Sequence, residues 1–199
     1  LQLDGNIMDD RSVTMEMPEM GTLVFAGHGG SSAMSAVDDV TPTAYEESWG
    51  VIGSTAETTA GRASMENAIG GYATDNNFFY TAPEMVEGLA IGYATAEVEE
   101  STTVSNDEST LWITYTTGPV SVGYQTSSVD GQTATQDDEA VLMSVSYAVT
   151  DEFSISYGTA EVDLGSSTTD QDSTGISASY TMGGVSISVA MNETENAGG

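Results

Sequence analysis

The 199-residue chain carries thirty-one Asp and Glu against two Arg, no Lys and no Cys, for a net charge of -29. That imbalance excludes nucleic acid as a partner, because phosphate binding needs clustered Lys or Arg, and it gives an anionic membrane surface nothing to attract. The missing cysteines exclude a disulfide framework and thiolate metal sites without naming a compartment. No run of about 18 apolar residues exists, so any crossing of a membrane must be made by strands.

In chain order, alternation of apolar and small polar residues predicts about ten strands: 11–18, 21–27, 76–82, 87–96, 108–116, 119–126, 139–149, 152–162, 173–182 and 184–191. Residues 28–75 interrupt the rhythm with a stretch of Gly, Ala, Ser, Thr and acids that has no clear period. So long an irregular connection in a compact domain is usually functional or disordered. If it folds inward it brings Asp38, Asp39, Glu46 and Glu47 to a narrow point, where close carboxylates attract cations and exclude anions.

Beyond the interruption come three hairpins, LWITYTTGPVSVGYQ, VLMSVSYAVTDEFSISYG and GISASYTMGGVSISVAM. One phase of each strand is aliphatic, with Leu111, Ile113, Val120, Val122, Val145, Phe153, Ile155, Ile176, Val185 and Ile187. The other holds Ser121, Gln125, Ser154, Ser156, Ser177 and Ser186. A soluble sandwich places charge on its outward face, whereas here the charges are swept into the connections, a pattern that predicts an antiparallel transmembrane β-barrel with lipid outside and water inside. The connections alternate: TTGP, TD and GG are minimal, while 97–107, 127–138 and 163–172 are long and acidic.

Tyr115, Tyr147 and Tyr180 precede the short turns, and Tyr93, Tyr124 and Tyr157 precede the long loops, all in the aliphatic phase. Two rings of Tyr at opposite strand ends are expected of an aromatic girdle, since the ring is apolar and the hydroxyl seeks water.

MGTLVFAGHGG, NNFFYTAPEMVEGLAIGYA and WITYTTGPVSVGYQ resemble, in that order, the strand leading into the inward loop of general bacterial porins of α-proteobacterial and marine type, the strand pair that follows it, and the next hairpin. The resemblance covers residues 11–191 and implies a single porin domain over 1–199, with 28–75 as constriction loop. It further implies a homotrimer of sixteen-stranded barrels in the bacterial outer membrane that passively admits small hydrophilic solutes, with outer-membrane lipid as the surrounding partner. Ten strands and a final NETENAGG in place of an apolar strand then read as an internal portion of a longer porin. Such porins face the acidic loop with several arginines on the wall; here only Arg11, before a wall strand, and Arg62, inside the loop, are available. A cation-favouring lumen is therefore expected.

Other chemistry is poorly provided for. The lone histidine, His28, has nothing to form a catalytic triad with, and GHGGSS lacks the Lys of a phosphate-binding loop. No enzyme activity and no cofactor is expected. Acids such as Glu99, Glu100, Asp137, Asp138, Asp163, Asp170 and Asp172 read as solvated loop charge or as weak Ca²⁺ ligands, with no EF-hand spacing among them. The alternative to a channel is an acidic extracellular β-rich adhesin or surface-layer protein.

Overall fold

The computed structural model describes residues 2–4, 7–10, 12–26, 62–66, 69–72, 77–101, 104–131 and 133–196. The fold is all-β. Ten strands form one antiparallel sheet in the order β14-β13-β12-β11-β10-β9-β8-β7-β4-β3, so that each strand pairs with its neighbour in sequence except where β4 pairs with β7 and the β5–β6 hairpin is skipped. They are β3 (Ser12–Met17), β4 (Gly21–Ala26), β7 (Asn77–Thr81), β8 (Leu89–Ser101), β9 (Val104–Thr117), β10 (Val120–Asp130), β11 (Asp138–Ala148), β12 (Phe153–Leu164), β13 (Gln171–Met182) and β14 (Val185–Glu195). Two separate hairpins complete it: β1 (Gln2–Asp4) with β2 (Ile7–Asp10), and β5 (Arg62–Glu66) with β6 (Ile69–Tyr72).

The tight turns set the register. β9 and β10 are joined by Gly118-Pro119, and β13 and β14 by Gly183-Gly184, with φ of +54° at Gly118 and +61° at Gly183. A two-residue loop needs a left-handed φ at its first position to match the twist of the strands, and glycine adopts it without penalty. Thr117 accordingly pairs with Val120 and Met182 with Val185. From β9 to β14 the register runs without a bulge, so every strand keeps one phase on each face.

All ten expected strands form, but their loop-side ends differ from the sequence reading. β8 runs to Ser101, β9 starts at Val104, β10 reaches Asp130, β12 reaches Leu164 and β14 reaches Glu195. Most of the acidic stretch 97–107 is thus a continuing hairpin. Asp, Asn and Glu are poor strand formers by composition, yet here they go on alternating and pairing across the ladder, and cross-strand pairing outweighs intrinsic preference. Within 28–75, where no period is evident, 62–66 and 69–72 nonetheless pair as β5 and β6; residues 27–61, 67–68 and 73–76 lie outside the described residues.

On the outer face the strand extensions carry acids in cross-strand rows. Glu161 stands opposite Asp172, and Asp172 opposite Glu195, while Glu139 stands opposite Asp163 and Asp107 opposite Asp130. Like charges directly opposite one another oppose folding, and no Lys is present to relieve them. The combined Glu161→Gln and Glu195→Gln variant is expected to stabilise the detergent-solubilised protein at low salt by about 0.2–1 kcal/mol for each pair relieved, and so to raise its unfolding temperature. The gain should vanish toward 1 M salt, where the Debye length is about 3 Å; unfolding monitored by heat-dependent gel mobility checks both statements.

Candidate functional site

The two faces of the sheet have opposite chemistry. Outward on β9 to β14 point Ile113, Val122, Tyr124, Met143, Val145, Tyr147, Ile155, Tyr157 and Ile176, all exposed, with Ile176 at 58% and Met143 at 52%. Inward point Gly123, Gln125, Ser127, Ser144, Ser156, Gly158, Gly175 and Ser177, all buried. Burying a hydroxyl row while leaving aliphatics bare is unfavourable in water and favourable only where the outer face meets lipid. Ser121 and Ser154 share the inner face, as does Ser186, which is exposed because β14 is an edge of the sheet.

Toward the short turns the inner wall is an uncharged hydroxyl surface. Thr116, Ser121, Ser146, Ser156 and Ser177 form one continuous cross-strand row. The Thr116 and Ser121 hydroxyls bond at 2.9 Å, those of Ser156 and Ser177 bond to each other, and Thr181 and Ser186 bond at 2.9 Å. A row of hydroxyls that can each donate or accept presents a neutral, wettable surface.

Toward the long loops the same face changes character, which sequence reasoning missed. Val129, Ala140, Leu142, Ala160, Val162 and Leu164 form a dry cluster with exposures of 0 to 4%, while Glu139, Glu161 and Asp163 are exposed on the outside at that level. On β12 the outward sequence Phe153, Ile155, Tyr157, Thr159, Glu161, Asp163 and the inward sequence Ser154, Ser156, Gly158, Ala160, Val162, Leu164 invert together at Gly158 and Thr159. A phase-by-phase reading could have shown this, since the aliphatics switch phase halfway along the strand. Glu108 and Asp138 are the buried carboxylates of this inner region. Asp138 Oδ1 accepts from the Gly165 amide at 3.2 Å and Asp137 Oδ1 from the Gly131 amide at 2.8 Å, which ties two loop bases together.

A second inner cluster joins Ala94 and Ala96 to Phe79 and Trp112. The indole of Trp112 reaches across to β8, and a Cβ on Gly92 would fall inside its ring. Glycine at 92 is therefore what lets a large side chain lie along the wall.

Asp38, Asp39, Glu46, Glu47, Arg11 and His28 lie outside the described residues. Arg62 is the first residue of β5. All six tyrosines are on the outer face, Tyr93, Tyr124, Tyr147, Tyr157 and Tyr180 exposed and Tyr115 partly so. Each set forms a slanted line: Tyr93, Tyr124 and Tyr157 step two residues along the ladder for every two strands crossed, as do Tyr115, Tyr147 and Tyr180. The two lines are about three residues apart, roughly 10 Å along a strand. They are thus not at opposite strand ends, because β8, β10 and β12 continue well beyond Tyr93, Tyr124 and Tyr157.

The pattern of an outward aliphatic band over an inward hydroxyl wall meets an independent finding in the sequence family. The Gram-negative porin family matches residues 9–199. The chain belongs to that family. It is an outer-membrane porin of bacteria. Among solved structures, a porin refined at 1.8 Å resolution superposes with a TM-score of 0.54 at 14% identity, covering 87% of this chain and 62% of that one, which shows a shared fold. The outer-membrane-expressed OmpT of Vibrio cholerae aligns at 13% identity and a TM-score of 0.45 over 93% of this chain and 70% of its own. No functionally curated protein matches. This porin chain thus spans less than two thirds of the length of the first of these structures.

Two substitutions test the wall. Ile113→Arg is expected to cost about 2–4 kcal/mol in membrane insertion, and Ser121→Arg far less, because one faces lipid and the other the interior; folding yields into lipid vesicles across a denaturant series measure the difference. Gly92→Val should cost about 1–3 kcal/mol by overpacking against Trp112, and Trp112→Ala in the same background should recover part of the loss.

Proposed function

We propose that the chain is the greater part of a water-filled general diffusion channel for small hydrophilic solutes, with a preference for cations and no catalytic role. The observation that carries this is the polarity of the wall: exposed aliphatics and tyrosines outside, a neutral hydroxyl row inside. The slope of the tyrosine lines supports it. If each line is level in the bilayer, two residues of rise over two strand spacings give a strand tilt of about 35°, within the range of outer-membrane barrels. The rival reading as an acidic adhesin needs the aliphatic face packed into a dry core between sheets, and that face is exposed.

β3 and β14 are the unpaired edges of the sheet among the described residues. Unpaired backbone is untenable in hydrocarbon. We take the sheet to close into a barrel, of about sixteen strands as in the porins the sequence resembles, and assembly as a homotrimer would bury part of the outer aliphatic face.

Selectivity follows from charge. With thirty-one acids and two arginines the interior potential is negative, and we assign its strongest point to Asp38, Asp39, Glu46 and Glu47 in the inward segment, with Arg11 and Arg62 as the available counter-charges. The acids of the outer rim would hold Ca²⁺ or other cations weakly and exchangeably. In planar bilayers the full-length protein is expected to show a reversal potential favouring cations that shrinks as salt rises, since the Debye length contracts from about 10 Å at 0.1 M to about 3 Å at 1 M. Neutralising Asp38, Asp39, Glu46 and Glu47 should reduce the preference more than neutralising Glu161, Asp163, Asp170 and Asp172. Equal effects would refute the constriction, and anion selectivity would refute the electrostatic reading.

A further inference from the structure

We infer that Trp112 is a stacking platform on the channel wall for the apolar face of an uncharged pyranose sugar. The inference names a solute class for the proposed channel and rests on that reading.

The orientation of the ring carries the argument. Trp112 pairs with Gly92 on β8. A Cβ added at Gly92 would meet the indole Cη2 first and Cζ3 and Cζ2 next, both nearer than an approach from the edge of the ring would bring them. The Gly92 backbone therefore stands over the face of the six-membered ring, and the indole lies flat along the wall with its other face turned away from the sheet. Gly92 is buried beneath it. Trp112 itself keeps part of its surface exposed. With one face sealed on the backbone and Ala94 and Ala96 packed against it, that surface is on the lumen side.

The surroundings single this ring out. The register places Gly92, Trp112, Gln125, Leu142 and Ala160 in one cross-strand row, and of these only Trp112 is not buried. Between that row and the short turns, every inner residue of β8 to β12 is Gly, Ala, Ser or Thr. A solute moving along these strands from the turn side crosses small neutral side chains until it reaches the indole. It is the first large surface on the way.

The chemistry selects the solute. The face of an aromatic ring is electron-rich and suits the weakly positive C–H groups on the apolar face of a pyranose, while the hydroxyls around the sugar's edge need polar groups placed beside the ring. Thr81 follows Gly92 in the same row, and Thr114 lies two residues along β9 on the same face. Both keep hydroxyls at the border of the platform and neither is buried. Carboxylates are remote. From Trp112 the row runs uncharged through Gly92, Thr81 and Thr22 to Glu16, four strand spacings or about 19 Å away. Along β9 the nearest inner acid is the buried Glu108, about 13 Å on. No anion thus stands beside the ring to favour an organic cation there, and a chain of net charge -29 repels acidic sugars. An uncharged pyranose is the solute that fits.

Trp49 is the only other tryptophan, so in a Trp49→Phe background the emission of the full-length, detergent-folded porin reports on Trp112. Methyl β-glucoside is expected to shift that emission saturably, whereas sorbitol, which has similar hydroxyls and no rigid apolar face, is not. In planar bilayers cellobiose should lower the single-channel current beyond its effect on the bulk solution. Trp112→Leu, which keeps an apolar side chain without an aromatic face, should weaken that effect about fivefold, and Trp112→Tyr should keep most of it. Equal emission shifts with glucoside and sorbitol, a cellobiose effect unchanged in Trp112→Leu, or a response to tetramethylammonium alone would overturn the platform. If the leucine variant does not fold, the comparison of the two solutes in the Trp49→Phe protein still decides. A saturable glucoside shift in a protein without conductance would defeat the channel reading and leave the platform standing, while conductance without the shift would do the reverse.

Discussion

The structure depends on the strict period of two along an uninterrupted antiparallel ladder. Adjacent residues face opposite solvents, and a register slip of a single position would move every serine into lipid and every aliphatic into water. The ladder from β9 to β14 has no bulge to absorb such an error. Its two glycine-led turns, at Gly118 and Gly183, are therefore the elements that hold the chemistry of the wall in phase, because a two-residue loop admits only one pairing of the residues that flank it.

That phase meets two environments along one strand. On the turn side the outward positions are aliphatic and tyrosine and the inward ones are hydroxyl and glycine, which suits lipid outside and water inside. On the loop side of β12 the outward positions are acids and the inward ones aliphatic, and the dry cluster they share with β11 and Val129 stands beside the buried polar residues Glu108, Ser127, Asp138, Gln171 and Ser173. Each half obeys the same rule, that apolar surface leaves water, and they differ only in where the water is. The level of the inversion marks the edge of the hydrocarbon more directly than the tyrosines do, since both tyrosine lines lie on its lipid side.

The acid excess shapes the molecule in a different way. Cross-strand rows such as Glu161, Asp172 and Glu195 cost stability in isolation, yet they lie on an outer surface open to water and salt, where screening limits the penalty. A buried row of the same charges could not be tolerated. Among the described residues the buried carboxylates are Glu108 and Asp138, and Asp138 accepts from the Gly165 amide. On the inner face the indole of Trp112 lies over Gly92, where a Cβ would fall inside its ring.

The alternation of Leu111, Ile113 and Tyr115 or of Phe153, Ile155 and Tyr157 was enough to determine the strands, the outward face and the membrane class, because period and burial are coupled residue by residue along an extended chain. It did not determine where the strands end, since Glu161, Asp163 and Glu195 look like loop by composition and become strand only through partners on the neighbouring chain segment. Nor did it reveal that Leu142 and Val162 are sealed from water, since the inner phase reads as wet until something is placed over it. The hairpin of 62–66 with 69–72 belongs to the same class: its residues carry too short a pattern to be recognised, and only the pairing of β5 with β6 defines it. What tertiary structure decided, then, is what each inner residue faces, because an alternating strand states that its two sides differ without stating what lies beyond them.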